Sequence, residues 1–171
     1  MTLNIGCGRV HRQGAVNLDI SPDVGADVVH DLNCLPWPFE DAQFDQIYAY
    51  DVLEHVNDVP RVLEEIHRVS RPGATLHVTV PHFSSANAFT DLTHRHYFSW
   101  RSFDPYFAGD VLDFYSRARF RRQSTRISFY PSIVNRLVFR LANRFPERYE
   151  RRWAWMFPAW FVSVELRVVK A

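Results

Sequence analysis

The sequence lacks the features that stabilise small extracellular proteins or hold a chain in a bilayer. Among 171 residues there are two cysteines, Cys7 and Cys34, too few for a disulfide framework. No apolar run reaches the roughly 18 residues that span a hydrocarbon core, and the N-terminus does not read as a signal peptide. These absences predict a reducing, cytoplasmic setting. The length, with 47% hydrophobic residues, predicts a single domain over residues 1–171 with one sizeable core.

Lysine is almost missing as well. Lys170 is the single lysine, so nearly all positive charge comes from arginine, whose guanidinium group pairs well with carboxylate and phosphate. Residues 1–94 contain 5 basic and 13 acidic residues, whereas residues 95–171 contain 15 basic and 6 acidic residues. This split indicates either a solvated arginine surface or a surface that binds an anionic partner.

Short apolar runs bounded by Gly, Pro or Asp alternate with helical patterns, which is typical of an α/β protein. Five runs predict strands, at Thr2–Ile5, Val16–Asp19, Asp27–Asp31, Asp45–Tyr50 and Thr75–Val80. A helix is predicted over Asn57–Ser70, with Asp58 as its N-cap and Arg71-Pro72-Gly73 ending it. Later elements are helices at Ser99–Phe107 and Ser132–Phe145 and strands at Arg119–Tyr130 and Trp160–Val169. The predicted fold is a Rossmann-like, doubly wound, mostly parallel sheet with an antiparallel edge hairpin.

The opening stretch, Leu3–Ile20, reads as a strand, a glycine turn and a second strand that ends in an acid. Gly6 and Gly8 let the backbone approach a ligand closely, and Asp19 can accept hydrogen bonds from ribose hydroxyl groups. His11 replaces the third glycine of the dinucleotide-binding motif, so the pattern favours a nucleoside over a dinucleotide. The alternatives are a plain tight turn for the glycines and a turn-forming acid for Asp19.

Several segments, at matching spacing, carry a family resemblance. They are Leu3–Gly8, Asp19, Asp31–Val56, Leu63–Pro81 and, farther on, Asp91–Phe103. They resemble the class I S-adenosylmethionine-dependent methyltransferases of the methyltransferase-11 type. Within that type they are similar to a compact bacterial subgroup that lacks the N-terminal lid helices and is associated with surface-polysaccharide pathways. The resemblance implies S-adenosyl-L-methionine as cofactor, with residues 1–81 as the cofactor-binding half and residues 82–171 as the acceptor-side half.

The same resemblance implies positions for the cofactor. Asp31 and Leu32 would flank the adenine, and Tyr50 and Asp51 would face the methionine part and the methyl group. Together with the two glycines and the acid of the opening stretch, they make the predicted cofactor-binding set: Gly6, Gly8, Asp19, Asp31, Leu32, Tyr50 and Asp51. Capping of the following turn is the structural alternative for Asp51.

The chain departs from the family pattern near its start. The first strand begins at Thr2, and residues 9–15 leave too little room for the usual crossover helix. We therefore expect a second copy of the chain in a homo-oligomer, a partner or the arginine-rich half to cover this flank, with weak cofactor binding as the alternative. Arg9 and Arg12 are candidates to bind the cofactor carboxylate, with exposed loop arginines as the alternative.

Methyl transfer from a sulfonium mainly requires alignment, with a base only where the acceptor must lose a proton. The predicted catalytic residues are His82, after the fifth predicted strand, with Asp91 and His94, which are spaced so that the carboxylate can orient the ring. The alternatives are structural histidines and a metal held by Asp91, His94 and His96. Because none of the familiar ligand spacings is present, we predict no metal site.

These features predict S-adenosylmethionine-dependent methyl transfer to an oxygen or nitrogen of a small-molecule or glycan-like acceptor. The alternative is a non-catalytic methyltransferase-fold accessory or binding subunit of a membrane-associated surface-polysaccharide pathway. No nucleic-acid partner is predicted, since no recognised binding module accompanies the basic residues.

A third interpretation makes the segment Pro131–Phe161 primary. In its predicted helix, Ile133, Leu137 and Leu141 form an apolar row, and Arg136, Arg140 and Arg144 form an opposing polar row. Three tryptophans follow the helix: Trp153, Trp155 and Trp160. This composition suits an anionic lipid surface at the inner face of a membrane or a lipid-linked glycan. Packing of the helix onto the sheet is the ordinary alternative.

Overall fold

A computed structural model describes residues 1–107, 109–110 and 112–170. The strands are β1 (Thr2–Ile5), β2 (Ala15–Asp19), β3 (Val28–Val29), β4 (Phe44–Tyr50), β5 (Ser70–Pro81), β6 (Arg119–Ile127) and β7 (Phe161–Val169). The helices are α1 (Val59–Val69), α2 (Asn87–Thr90), α3 (Ile133–Arg144) and α4 (Pro146–Arg152). Three 3₁₀ turns lie at Pro22–Val24, Asp104–Tyr106 and Asp113–Tyr115. In the described part of the chain, no helix is both long enough and apolar enough to cross a membrane.

The seven strands form one sheet in the order β3-β2-β1-β4-β5-β7-β6. The first five strands are parallel, and β7 pairs antiparallel with both β5 and β6. This arrangement confirms the predicted fold class. Because β1 lies between β2 and β4, the chain changes its direction of winding at β1, where such sheets open a crevice at their carboxyl edge.

Most predicted elements are present, and the exceptions have local causes. The helix predicted over Ser99–Phe107 is only the 3₁₀ turn Asp104–Tyr106, because Pro105 has no N–H to donate to the carbonyl of Arg101. The strand predicted over Asp27–Asp31 pairs only at Val28–Val29. The predicted N-cap of α1 is confirmed, since the Asp58 carboxylate accepts a hydrogen bond from the Arg61 N–H.

One face of the sheet carries the main core. Side chains alternate along β4, β5 and β7, and those that point inward pack against the apolar stripe of α1. The inward strand residues include Ile47, Ala49, Leu76, Val78 and Val164, and the stripe of α1 includes Val62, Leu63 and Ile66. The opposite face presents polar and aromatic side chains that stay partly accessible, among them Gln46, Tyr48, His77 and Glu165. A second cluster, built on Ile127, Tyr149 and Ala159, joins α3 and α4 to the ends of β6 and β7.

The first crossover contains no helix, as predicted. Two buried amides hold it instead: Asn4 Nδ2 donates to Val10 O and to Asn17 Oδ1, and Asn17 Oδ1 also accepts the Arg12 N–H. These bonds satisfy polar groups that a helix would otherwise have paired internally. The loop therefore reaches β2 in residues 6–14 and stays folded against the sheet.

Candidate functional site

The loop after β1 makes a close turn that only glycine permits. Gly6 has a φ of +61°, and a Cβ there would lie 2.3 Å from Cγ2 of Val52. Gly8 has a φ of +49°, but a Cβ there would meet nothing within 4 Å. Gly6 is thus required for the backbone to pass the turn after β4, whereas Gly8 borders open space at the sheet edge.

Asp19, at the end of β2, is held by the same loop. Its Oδ2 accepts the Gly8 N–H at 2.8 Å and its Oδ1 accepts the Ser21 N–H at 2.9 Å. The carboxylate is half-buried, and each oxygen keeps lone-pair capacity for a further donor. Asp19 is therefore fixed in orientation and still able to accept hydrogen bonds from two ligand hydroxyl groups.

A cleft of about 300 Å³ lies beside Asp19, and Gly6, Asp31, Leu32 and Asp51 also line it. Asp31 Oδ1 accepts hydrogen bonds from the backbone and side-chain nitrogens of Asn33 at 2.9 and 2.8 Å. The Leu32 carbonyl accepts from Trp37 Nε1, while no group in the described ranges accepts the Leu32 N–H. A backbone donor without a partner, on a residue that lines the cleft, suits the ring edge of a purine base.

A second cavity of about 700 Å³ adjoins the first, because Gly6 and Asp51 line both. Gly8, Tyr50, Arg9 and Arg12 also line the second cavity, which extends over the glycine loop. The seven predicted cofactor residues therefore lie along two connected cavities at one sheet edge.

Asp51 stands where the two cavities meet. Its φ is +51°, uncommon for a residue with a side chain, and its N–H donates to Thr79 O at 2.8 Å. Burial raises the pKa of the Asp51 carboxyl above its usual range, and the nearby His94 opposes that rise. The positive φ is a strained conformation held by the hydrogen bond to β5, as occurs at ligand sites.

Arg12 lies at the mouth of the larger cavity. Its guanidinium carbon is 3.5 Å from the centroid of the Tyr48 ring, and its Nε is buried without a hydrogen-bond partner in the described structure. Arg9 is exposed on the same loop. Of the two predicted carboxylate partners, Arg12 is thus the one whose side chain is already positioned, by stacking on an aromatic ring.

His82 lies away from the cleft, inside the second core cluster. Its side chain is fully buried, its Nδ1 accepts the Ser84 N–H at 3.1 Å, and its Nε2 faces Glu150 Oε1 at 3.2 Å. Glu150 Oε1 also accepts the Trp100 N–H. With both ring nitrogens engaged, His82 has the contacts of a structural histidine, and its catalytic role stays a prediction.

Asp91 and His94 do not pair through their side chains. Asp91 Oδ1 accepts from the backbone N–H and the hydroxyl of Thr93, while His94 Nδ1 contacts Ala88 O at 3.2 Å. His94 instead meets His55 edge to face, with ring centroids 4.6 Å apart. Because His55 lines the smaller cavity, the histidine pair brings His94 to the rim of the cleft.

Glu54 and His55 were not among the site residues predicted from the sequence. Glu54 is 1% exposed, and neither carboxylate oxygen has a hydrogen-bond partner in the described part of the chain. Burial raises the pKa of Glu54 to about 7. The signal in the sequence was an acid inside the apolar run Val52–Val56.

The metal set considered from the sequence, Asp91, His94 and His96, does not form. His96 contacts Val56 O and does not join His94.

Comparison with known proteins gives these features a context. Residues 3–78 match the family described as "Methyltransferase domain". A curated 2-phytyl-1,4-naphtoquinone methyltransferase of Nostoc punctiforme is 46% identical over 44 residues, which are 26% of this chain and 19% of that protein. The chain thus matches about a fifth of the length of that relative.

Solved structures share the fold over nearly the whole chain. The YcgJ protein from Bacillus subtilis has a TM-score of 0.64 at 13% identity and covers 99% of this chain and 92% of its own. An S-adenosylmethionine-dependent methyltransferase from Archaeoglobus fulgidus has a TM-score of 0.61 at 18% identity, and the alignment covers 97% of this chain and 85% of that chain. A third match is a chain of the complex between the Haloferax volcanii Trm112 methyltransferase activator and a putative methyltransferase. Its TM-score is 0.63 at 16% identity, and the alignment covers 99% of this chain and 82% of that chain.

The sheet order and the glycine loop, with two cavities at the carboxyl edge of the strands, are typical of nucleoside-binding α/β proteins. Residues 3–78 carry the match to the methyltransferase-domain family, and the chain shares its fold with S-adenosylmethionine-dependent methyltransferases, which indicates S-adenosyl-L-methionine as the cofactor. The residues present fit this group: an oriented carboxylate, a Leu32 N–H without an acceptor in the described ranges, and a loop with no Cβ at Gly6 and Gly8.

Proposed function

We propose that the chain catalyses methyl transfer from S-adenosylmethionine to an oxygen or nitrogen atom of a small-molecule or glycan-like acceptor. The observation that carries the proposal is the meeting of Gly6, Asp19 and Asp51 at one cleft, with a histidine pair at its rim. The bound sulfonium supplies an activated methyl carbon: the acceptor forms the new bond, the carbon–sulfur bond breaks, and its electron pair stays on sulfur.

The chain's own residues orient the reaction. Asp19 would hold the ribose hydroxyls, Asp31 and the Leu32 N–H would hold the base, and Tyr50 and Asp51 would lie along the methionine part. Such placement aligns the methyl carbon with the acceptor, and alignment supplies much of the rate of a displacement.

On the acceptor side we place His94, with Asp91 and Thr93 bracing the loop that carries it. A proton must leave a hydroxyl or ammonium acceptor during transfer, and a group at the rim of the cleft is close enough to receive it. The Nostoc protein is named for a naphthoquinone substrate, so a quinol or phenol ring is the first acceptor to test here.

The test is formation of S-adenosylhomocysteine on incubation with S-adenosylmethionine and a panel of phenols, quinols, sugars and amines. We expect product that depends on one acceptor class and that falls in the Asp19→Ala variant. Asp23→Ala, an exposed acid in the turn after β2, is the matched control and should keep the wild-type rate. Product formation that is equal without any acceptor, or equal in Asp19→Ala, would contradict the proposal.

A second candidate function is an accessory subunit that binds an anionic membrane surface. The apolar row of α3 does not pack onto the sheet: Ile133, Leu137 and Leu141 are 88%, 62% and 54% exposed. Arg136, Arg140 and Arg144 are exposed as well, and they flank this row and do not oppose it as expected from the sequence, because each follows an apolar residue of the row by three positions. Trp153 and Trp155 are also exposed. An apolar row beside guanidinium groups suits the headgroup region of anionic lipid.

The homo-oligomer stays a prediction, supported by the partly accessible face with Tyr48, His77 and Glu165. Light scattering would give a mass above the 20.1 kDa of one chain. A monomeric mass together with tight cofactor binding would remove the idea.

A further inference from the structure

Glu54 is the least satisfied charged side chain near the cleft. It follows β4 in the turn before α1, it is 1% exposed, and both of its carboxylate oxygens lack a partner among the described residues. A buried carboxylate without a hydrogen bond or a counter-charge is costly, so such groups are normally paired or bound to a metal. No Lys or Arg forms an ion pair with it in the described chain.

Two histidines stand beside this carboxylate. One ligand atom from each of Glu54, His55 and His94 lies within 4.8 Å of the others. Ligands at bonds of about 2.0–2.2 Å around a tetrahedral centre are about 3.4 Å apart. Side-chain rotations that close the group by about 1.5 Å would therefore complete a ligand set.

In both imidazole rings, a contact made by Nδ1 already fixes the orientation of the ring. His55 Nδ1 contacts Thr93 Oγ1 at 2.8 Å, and that hydroxyl donates to Asp91 Oδ1 at 2.7 Å. His94 Nδ1 contacts Ala88 O at 3.2 Å. Nε2 of each ring has no hydrogen-bond partner in the described ranges. Metal-binding histidines typically have this arrangement, with one nitrogen held by an oxygen acceptor and the other left for the metal.

We propose that Glu54, His55 and His94 bind a divalent transition metal ion at the edge of the cofactor cleft. Two imidazoles and one carboxylate favour Zn²⁺ and similar ions, whereas Mg²⁺ prefers an all-oxygen set. Three protein ligands leave a coordination position for water or for an oxygen of the acceptor. The site differs from the set Asp91, His94 and His96 considered from the sequence and does not require that the chain transfer methyl groups. While the ion is bound, both ring nitrogens of His94 are engaged, so His94 can receive a proton from the acceptor only in the metal-free protein.

The test is calorimetric titration of Zn²⁺ into untagged protein stripped with a chelator, in a Cys34→Ser background that removes the exposed thiol. We expect saturable binding of one equivalent, and visible absorption bands when Co²⁺ replaces Zn²⁺. Glu54→Gln and His94→Gln should each weaken Zn²⁺ binding by at least about 100-fold, since even loss of an outer-shell partner costs 10–100-fold. His96→Gln, two residues from His94 and outside the cluster, should bind like the parent.

Folding is checked by the far-ultraviolet spectrum and by thermal unfolding with and without Zn²⁺. Bound metal should raise the melting temperature of the parent and of His96→Gln, and leave Glu54→Gln unchanged. Absence of saturable binding to the parent, or equal affinity in folded Glu54→Gln, would overturn the proposal. Retention of S-adenosylhomocysteine binding by Glu54→Gln separates failure of the metal site from failure of the cofactor site.

Discussion

The backbone N–H of Gly8 donates a 2.8 Å hydrogen bond to the carboxylate of Asp19. This bond joins the loop after β1 to the end of β2, so the two halves of the nucleoside site are positioned together. It also explains how a crossover without a helix can still present an ordered ligand edge, because the strand end and the loop brace each other. Asp19 therefore orders the loop, and this role is separate from its proposed role in binding the ribose.

Asp19→Ala should weaken binding of S-adenosylhomocysteine by about 1–3 kcal/mol, the range expected when hydrogen bonds to a charged group are lost. Calorimetry on the variant and on Asp23→Ala measures the difference. Equal affinity in Asp19→Ala and the parent would show that the ribose lies elsewhere.

Gly6→Ala should damage both the fold and the cofactor site. Its Cβ would approach Val52 Cγ2 to 2.3 Å, and overpacking of this kind costs about 1–3 kcal/mol. The left-handed φ adds about 1–2 kcal/mol for a residue with a side chain. We expect a lower melting temperature and a loss of cofactor affinity. Gly14→Asn is the control: Gly14 also has a positive φ but borders open space, and asparagine tolerates that conformation, so the variant should stay close to the parent.

The two predicted catalytic histidines should behave differently. His94→Ala should lower turnover by about 10²–10⁴ while cofactor affinity stays nearly constant, the scale for losing a group that receives a proton. His82→Ala should instead lower thermal stability, since it removes a fully buried ring bonded to Ser84 and Glu150. Turnover per folded molecule and the melting temperature are measured for each variant. A loss of turnover in His82→Ala without a loss of stability would reverse these assignments.

The exposed row of α3 gives a prediction for membrane binding. Leu137→Glu should reduce sedimentation of the chain with anionic phosphatidylglycerol vesicles, because it removes apolar area and adds a repelled charge. Leu92→Glu, at another exposed leucine, is the matched control and should sediment like the parent. Neutral phosphatidylcholine vesicles should bind weakly throughout. If the parent does not sediment with anionic vesicles, α3 serves another purpose.

Local pattern was sufficient to predict most of the sheet. Alternation in β4 and β7, the Asp58 cap and the Pro72-Gly73 pair three residues beyond the last residue of α1 are signals that neighbouring residues carry themselves. The turn Asp104–Tyr106 was missed because one proline outweighs a helical apolar spacing.

The site was harder to predict, because contacts between distant residues decide it. All seven residues that the resemblance implies for the cofactor lie along the two cavities, and their role in binding it stays a prediction. The burial of His82 depends on Glu150, 68 residues away, and the meeting of His55 with His94 depends on how the loop after β5 folds back. The exposure of Leu137 likewise depends on which face α3 turns to the body of the protein, which its amphipathic pattern does not determine.

The central claim is that the cleft between the glycine loop, Asp19 and Asp51 holds the methyl donor. A crystal structure of the complex with S-adenosylhomocysteine tests it most directly. The account predicts ribose hydroxyls on the Asp19 carboxylate, the base between Asp31 and Leu32, and the sulfur pointing toward Asp51. Ligand density at any other place on the chain, or a ribose that makes no contact with Asp19, would contradict it.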